Sequence, residues 1–163
     1  MAKRGRGQNG PVEIRRLSLL LIVLCLLQYL LGMELNLFVS ISRHHPGASG
    51  SDFLVRAFQS VIWGISHGGY LALHAGLGIV LVLGSIGFAL AAFAVSQPRI
   101  RTAAVVGAVA VLAAAFNGAA FLNYGANANS MYMAVFLAIA LFCFAWALFR
   151  ATATSPEPPP SAG

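Results

Sequence analysis

His67-Gly68-Gly69-Tyr70-Leu71-Ala72-Leu73-His74-Ala75-Gly76-Leu77-Gly78 opens an apolar run that continues to Val95. A run of that length is too long for a buried helix of ordinary size and suits a membrane crossing of about 20 residues. It also carries two histidines, a tyrosine and four glycines to the mouth of the span, where polar side chains are costly unless they are used. The chain around it has the same character. Of its 163 residues 59% are hydrophobic and only 9% charged, against roughly 25% charged in soluble domains. Too few charges remain to cover a water-facing surface, so lipid is the expected solvent.

Three further apolar runs flank the first, and the spacing predicts an all-α, integral membrane four-helix bundle. The spans are expected at 17–41, 70–95, 102–124 and 130–149, each long enough at ~1.5 Å per residue to cross a ~30 Å hydrocarbon core. Residues 1–16 read as a basic tail and 151–163 as a disordered Pro-rich tail, with Pro156 and Pro158 to Pro160 in the latter. The first apolar run exceeds the roughly 7–15 residues of a signal-peptide core and is not followed by a small-residue cleavage pattern, so it reads as an uncleaved anchor. Pro98 ends the second span in a basic turn with Arg99 and Arg101.

The net charge of +6 raises the question of nucleic acid. The basic residues stand instead at the ends of apolar runs, which is membrane topology, and no nucleic-acid partner is expected. On one side fall Lys3, Arg4, Arg6, Arg15, Arg16, Arg99, Arg101 and Arg150; on the other, Arg43 and Arg56. Eight against two places both termini in the cytoplasm of a cell whose inner membrane the chain crosses. Residues 42–66 then form the outer loop, where Leu54, Phe58, Val61 or Ile62 and Ile65 trace one face of a short amphipathic helix at the interface. Ser51 or Asp52 is its cap and Trp63 a belt residue.

With that orientation the polar side chains of the spans gather in the outer leaflet, Gln28 and Ser85 excepted. In span 1, Gln28, Gly32 and Asn36 recur every fourth residue as a polar-small stripe, and Glu34 points elsewhere. His74 reads either as a haem or proton-handling group or as an interhelical hydrogen-bond partner. His67 lies two turns earlier on the expected helix, ~10 Å away, too far to share one metal ion or haem iron. His44 and His45 read as solvated loop residues. Glu34 is either a proton or cation ligand or a carboxylate snorkelling to the interface and pairing with Arg43 or Arg56. Asn117 would wall a pocket, and Met131 or Met133 would be a soft ligand opposite His74; helix-start methionines also serve simply as packing. The candidate cofactor-binding set is therefore His74, Asn117, Met131 and Glu34, with haem the cofactor to consider and no metal site expected. Cys25 and Cys143 sit inside apolar runs and read as small buried hydrophobes.

The stretch Phe116-Asn117-Gly118-Ala119-Ala120-Phe121-Leu122-Asn123-Tyr124, followed by Ser130-Met131-Tyr132-Met133-Ala134, resembles a pattern in small four-transmembrane-helix bacterial membrane proteins of unknown function, as does His74-Ala75-Gly76-Leu77-Gly78. The Ala, Gly and Arg content is similar to that of actinobacterial proteins from GC-rich genomes. The likeness runs loosely over all four spans and implies a fold, with no activity attached.

The chain carries no Walker A loop, zincin motif, Cys-x-x-Cys or nucleophile elbow, so it is expected not to be an enzyme. Three functions remain from the sequence. One is an accessory or assembly partner with a polar outer-leaflet pocket, in a homo-oligomer or larger membrane complex. The second is a haem- or quinone-binding redox subunit using His74. The third is a small proton-coupled transporter subunit using Glu34 and His74.

Overall fold

The computed structural model of the protein describes residues 10–42 and 44–153. The basic tail to residue 9, Arg43 and the Pro-rich segment from 154 lie outside the described residues. Five helices follow one another: α1 (Gly10–Phe38), α2 (Phe53–Ser66), α3 (Gly69–Phe93), α4 (Pro98–Tyr124) and α5 (Asn127–Thr152). Among the described residues, α1, α3, α4 and α5 are long and apolar enough to cross a membrane. The protein is an all-helical, multi-pass membrane protein.

The boundaries differ from expectation at several ends. α1 begins at Gly10, so Arg15 and Arg16 lie on the helix, where their long stems can carry the charge to the interface. α4 begins at Pro98 itself, because the first helical position needs no N–H and suits the fixed φ of proline. α5 starts at Asn127 and runs through Arg150 to Thr152.

The four long helices form a ring in the order α1, α3, α4, α5, each touching its two neighbours, with the most extensive contact between α4 and α5. The inward faces of α1 and α3 follow alternating steps of three and four. On α1 these positions are Ile14, Ser18, Leu21, Cys25, Gln28, Gly32 and Leu35, and on α3 Leu71, His74, Gly78, Leu81, Ser85, Phe88 and Ala92. Steps of three and four hold one side of a helix toward its partners in left-handed packing. Across the ring, Phe88 and Phe144 meet edge to face with centroids 5.7 Å apart, and both are fully buried. Small residues bring α4 and α5 together: a Cβ on Gly107 would lie 2.7 Å from Cε1 of Phe144. The outward faces carry Leu30, Leu83, Leu90, Val109 and Phe142, as lipid requires.

α2 packs on α3 and α4 at the end of the bundle opposite the 94–97 turn. Asp52 caps it by accepting the Val55 N–H at 3.0 Å. Its direction is inverted relative to a water-soluble lid. Ser60 and Gly64 face the bundle, while Leu54, Val55, Phe58 and Ile62 face outward. An outward apolar face of this kind belongs in acyl chains or headgroups. Gly68 and Gly69, with φ of +81° and +60°, make the turn into α3, a conformation that favours glycine. His67 is thereby the C-cap of α2 and not a member of α3, so its expected position one face and two turns from His74 is corrected.

Candidate functional site

Two polar assemblies stand out. The first lies between α1 and α3. The side-chain amide N–H of Gln28 reaches Nε2 of His74 at 3.1 Å and donates to the His74 backbone carbonyl at 3.2 Å. An amide nitrogen offers only donors, so Nε2 of His74 must accept. With the amide in this orientation, Nδ1 is the ring nitrogen left to carry a proton. The interface admits the ring because residue 32 is glycine: a Cβ there would lie 3.3 Å from Cε1 of His74. Gly78 likewise gives room to the Gln28 amide, at 3.4 Å. Nδ1 of His74 and Oε1 of Gln28 are buried and have no partner among the described residues.

The second assembly closes the C-terminal end of α4. The last carbonyls of any helix lack intrahelical partners, and here side chains from the 44–66 segment reach two of them. Nε2 of His45 lies 3.1 Å from the Leu122 carbonyl and its Nδ1 lies 2.8 Å from that of Pro46. A neutral imidazole has one N–H and serves one of these oxygens; the imidazolium serves both. The ring stacks on Trp63 at 4.4 Å, and Trp63 in turn meets His67 at 4.6 Å. His45 is thus docked and not simply solvated, and the Trp63 ring contacts both histidines. Arg56 spreads its guanidinium over the loop: Nε donates to Gly47 at 3.0 Å, one terminal nitrogen to Ala48 at 3.0 Å and to Asn123 at 3.5 Å, and the other to Gly50 at 3.5 Å. Its plane sits 4.9 Å from the Tyr124 ring centroid, a cation–π geometry. A cation at a helix C-terminus is also favoured by the macrodipole. Ser60 donates to Oδ1 of the buried Asn123 at 2.7 Å. Gly47, at φ +89°, lets the loop approach: a Cβ there would be 2.5 Å from the Arg56 carbonyl.

The four candidate residues do not converge. His74 is bonded to Gln28. Asn117 turns back to donate to the Ala113 carbonyl of its own helix at 2.8 Å. Met131 and Glu34 are exposed. Among the described residues no hydrogen bond or ion pair joins Glu34, Asn117 or Met131 to His74, and no group of three His, Cys, Asp or Glu side chains is placed to hold a metal. Cys25 and Cys143 are free and buried. The spacing of Gln28 and Gly32 does correspond to the histidine contact, whereas Asn36 leaves the seam to Leu35 and is exposed. Sequence reasoning used Arg56 for topology and as a partner of Glu34, and missed that Arg56 and Ser60 fasten the loop and α2 to α4. Their spacing of four, continued by Gly64, was the available signal for an inward polar face on α2.

Neither a protein-family model, nor a curated protein, nor a solved structure matches the chain.

Proposed function

We propose that the protein is a non-enzymatic accessory or assembly subunit of the cytoplasmic membrane, with both termini in the cytoplasm and the 39–68 segment outside. The observation that carries this reading is the Gln28–His74 contact. Nε2 of His74 is the atom a haem iron or a hydrogen-bonded quinone would use, and it is already 3.1 Å from the Gln28 amide. The other polar groups of the outer end are likewise spent on fastening the loop and α2 to α4. What remains for a partner is the broad apolar circumference of the bundle and the exposed Glu34 near the outer end of α1.

The test is purification of tagged full-length protein from its native membrane in mild detergent. The expected result is a colourless preparation carrying a second membrane protein in stoichiometric amount. A Soret band that disappears in His74→Ala overturns this reading in favour of haem binding. Uptake into proteoliposomes that is lost in Glu34→Gln overturns it in favour of transport.

A further inference from the structure

At the end of the bundle away from α2, a surface groove of about 410 Å³ lies between α4 and α5. Its floor is Ala103 and Cys143, its walls are Val106, Phe142 and Trp146, and Arg99 stands at its mouth. The groove exists because small side chains form the floor between larger ones. It runs from the first turn of α4 toward the middle of the bilayer, covering residues 98 to 106 of that helix, ~12 Å at 1.5 Å per residue. An apolar furrow that begins at the headgroup level and points along the membrane normal has the shape of an acyl chain.

The charge at the mouth selects among lipids. Arg99 is exposed and makes no hydrogen bond or ion pair among the described residues. The same end of the bundle bears Arg15 and Arg16 on α1, whose register against α3 is antiparallel, with Leu21 beside Gly84. Among the described residues Glu13 is the acidic residue of that end. Arg101, by contrast, is tied to the Val95 carbonyl at 2.9 Å, which leaves Arg99 as the guanidinium at the groove. Trp146 completes the site, since indole prefers the headgroup boundary.

We propose that this groove holds one chain of an anionic phospholipid, whose phosphate pairs with Arg99 and whose chain lies over Ala103 and Cys143 against Trp146. Guanidinium matches phosphate in bidentate geometry, and basic sites between transmembrane helices select anionic lipids over zwitterionic ones. The ligand does not depend on which protein the bundle accompanies.

The sequence contains two tryptophans, so Trp63→Phe leaves Trp146 as the sole tryptophan, excited selectively over the tyrosines. That protein is reconstituted in phosphatidylcholine vesicles, into which brominated phosphatidylglycerol or brominated phosphatidylcholine is titrated. Trp146 should be half-quenched at about fivefold less brominated phosphatidylglycerol, the discrimination one arginine supplies at a membrane surface. Adding Arg99→Ala should make the two lipids equal while quenching by both persists. Inorganic phosphate should not relieve quenching, because the chain and headgroup bind together. Equal quenching in the parent overturns the proposal. So does a preference that survives Arg99→Ala, which would assign it to the general charge of that end. Absence of quenching by either lipid overturns it too, because it would mean the groove is covered by protein.

Discussion

The side-chain amide nitrogen of Gln28 lies within 3.2 Å of two atoms of one residue, Nε2 and the backbone oxygen of His74. This double contact joins α1 to α3 and leaves Nε2 of His74 as an acceptor for the Gln28 amide. In hydrocarbon, polar side chains on neighbouring helices contribute about 0.6 kcal/mol per bond and up to roughly 1.7.

Gln28→Leu and His74→Leu should each destabilise the bundle by about 1 kcal/mol, and the double variant by less than their sum. Each single change strands a polar group that the double change removes. Reversible unfolding in mixed micelles measures the cycle; strict additivity would mean that the contact contributes nothing.

Arg56 contacts four backbone carbonyls, a task that suits a planar fork and not an ammonium. Arg56→Lys and Arg56→Ala should therefore both loosen the 44–50 segment, with a loss of about 1–3 kcal/mol. Amide hydrogen exchange across that segment should rise about tenfold or more in each variant. Full protection in Arg56→Lys would contradict the fork.

Gly47→Ala and Gly68→Ala separate backbone strain from collision. Both residues have positive φ, +89° and +81°. A Cβ at 47 meets the Arg56 carbonyl and the Ser60 hydroxyl at 2.5 Å, whereas at 68 nothing lies within 4 Å. Gly68→Ala should cost about 1–3 kcal/mol for the backbone alone, and Gly47→Ala measurably more. Thermal melts of the two variants in one detergent give the comparison.

Three glycines in the long helices should behave differently. A Cβ on Gly107 would press the buried Phe144 ring at 2.7 Å, one on Gly118 would press the Met133 sulfur at 3.1 Å, and one on Gly87 meets nothing. Phe144 is held against Phe88 and cannot retreat, so Gly107→Ala should cost about 1–3 kcal/mol. Met133 can move, so Gly118→Ala should be close to neutral. Gly87→Ala should stabilise by about 0.4–1 kcal/mol, because glycine has more freedom to lose on folding. An equal melting temperature for all three would refute the α4–α5 packing.

The outward face of α2 should lie in lipid. A nitroxide at Phe58→Cys should be relaxed by oxygen more than by a water-soluble nickel complex, with the reverse at Ser49→Cys in the loop. Ser49 is exposed on the loop, while Phe58 is exposed on the apolar face. Aqueous access at both sites would place α2 off the membrane.

Hydropathy and punctuation alone settled that four helices cross a membrane, roughly where each ends, and that a short amphipathic helix precedes the second. Those features are properties of single segments: a largely apolar helix of 25 residues suits lipid whatever else the chain contains. The inward faces were not legible in the same way, because the long helices are apolar nearly all round. A periodicity argument needs contrast between faces, and here leucine stands on both. Only packing selected Leu21, Cys25 and Gln28 over Leu26, Leu27 and Leu30. The fate of the polar residues was hidden for a related reason. Gln28 meets a partner 46 residues away and His45 one 77 residues away. Depth as read from the sequence set Gln28 apart from the polar group that includes His74, which the contact corrects, and it left the azimuth of every helix free. The grouping of His74 with Glu34, Asn117 and Met131 matched height alone; rotation of each helix about its axis, set by side-chain packing, turned Glu34 and Met131 outward and His74 onto Gln28.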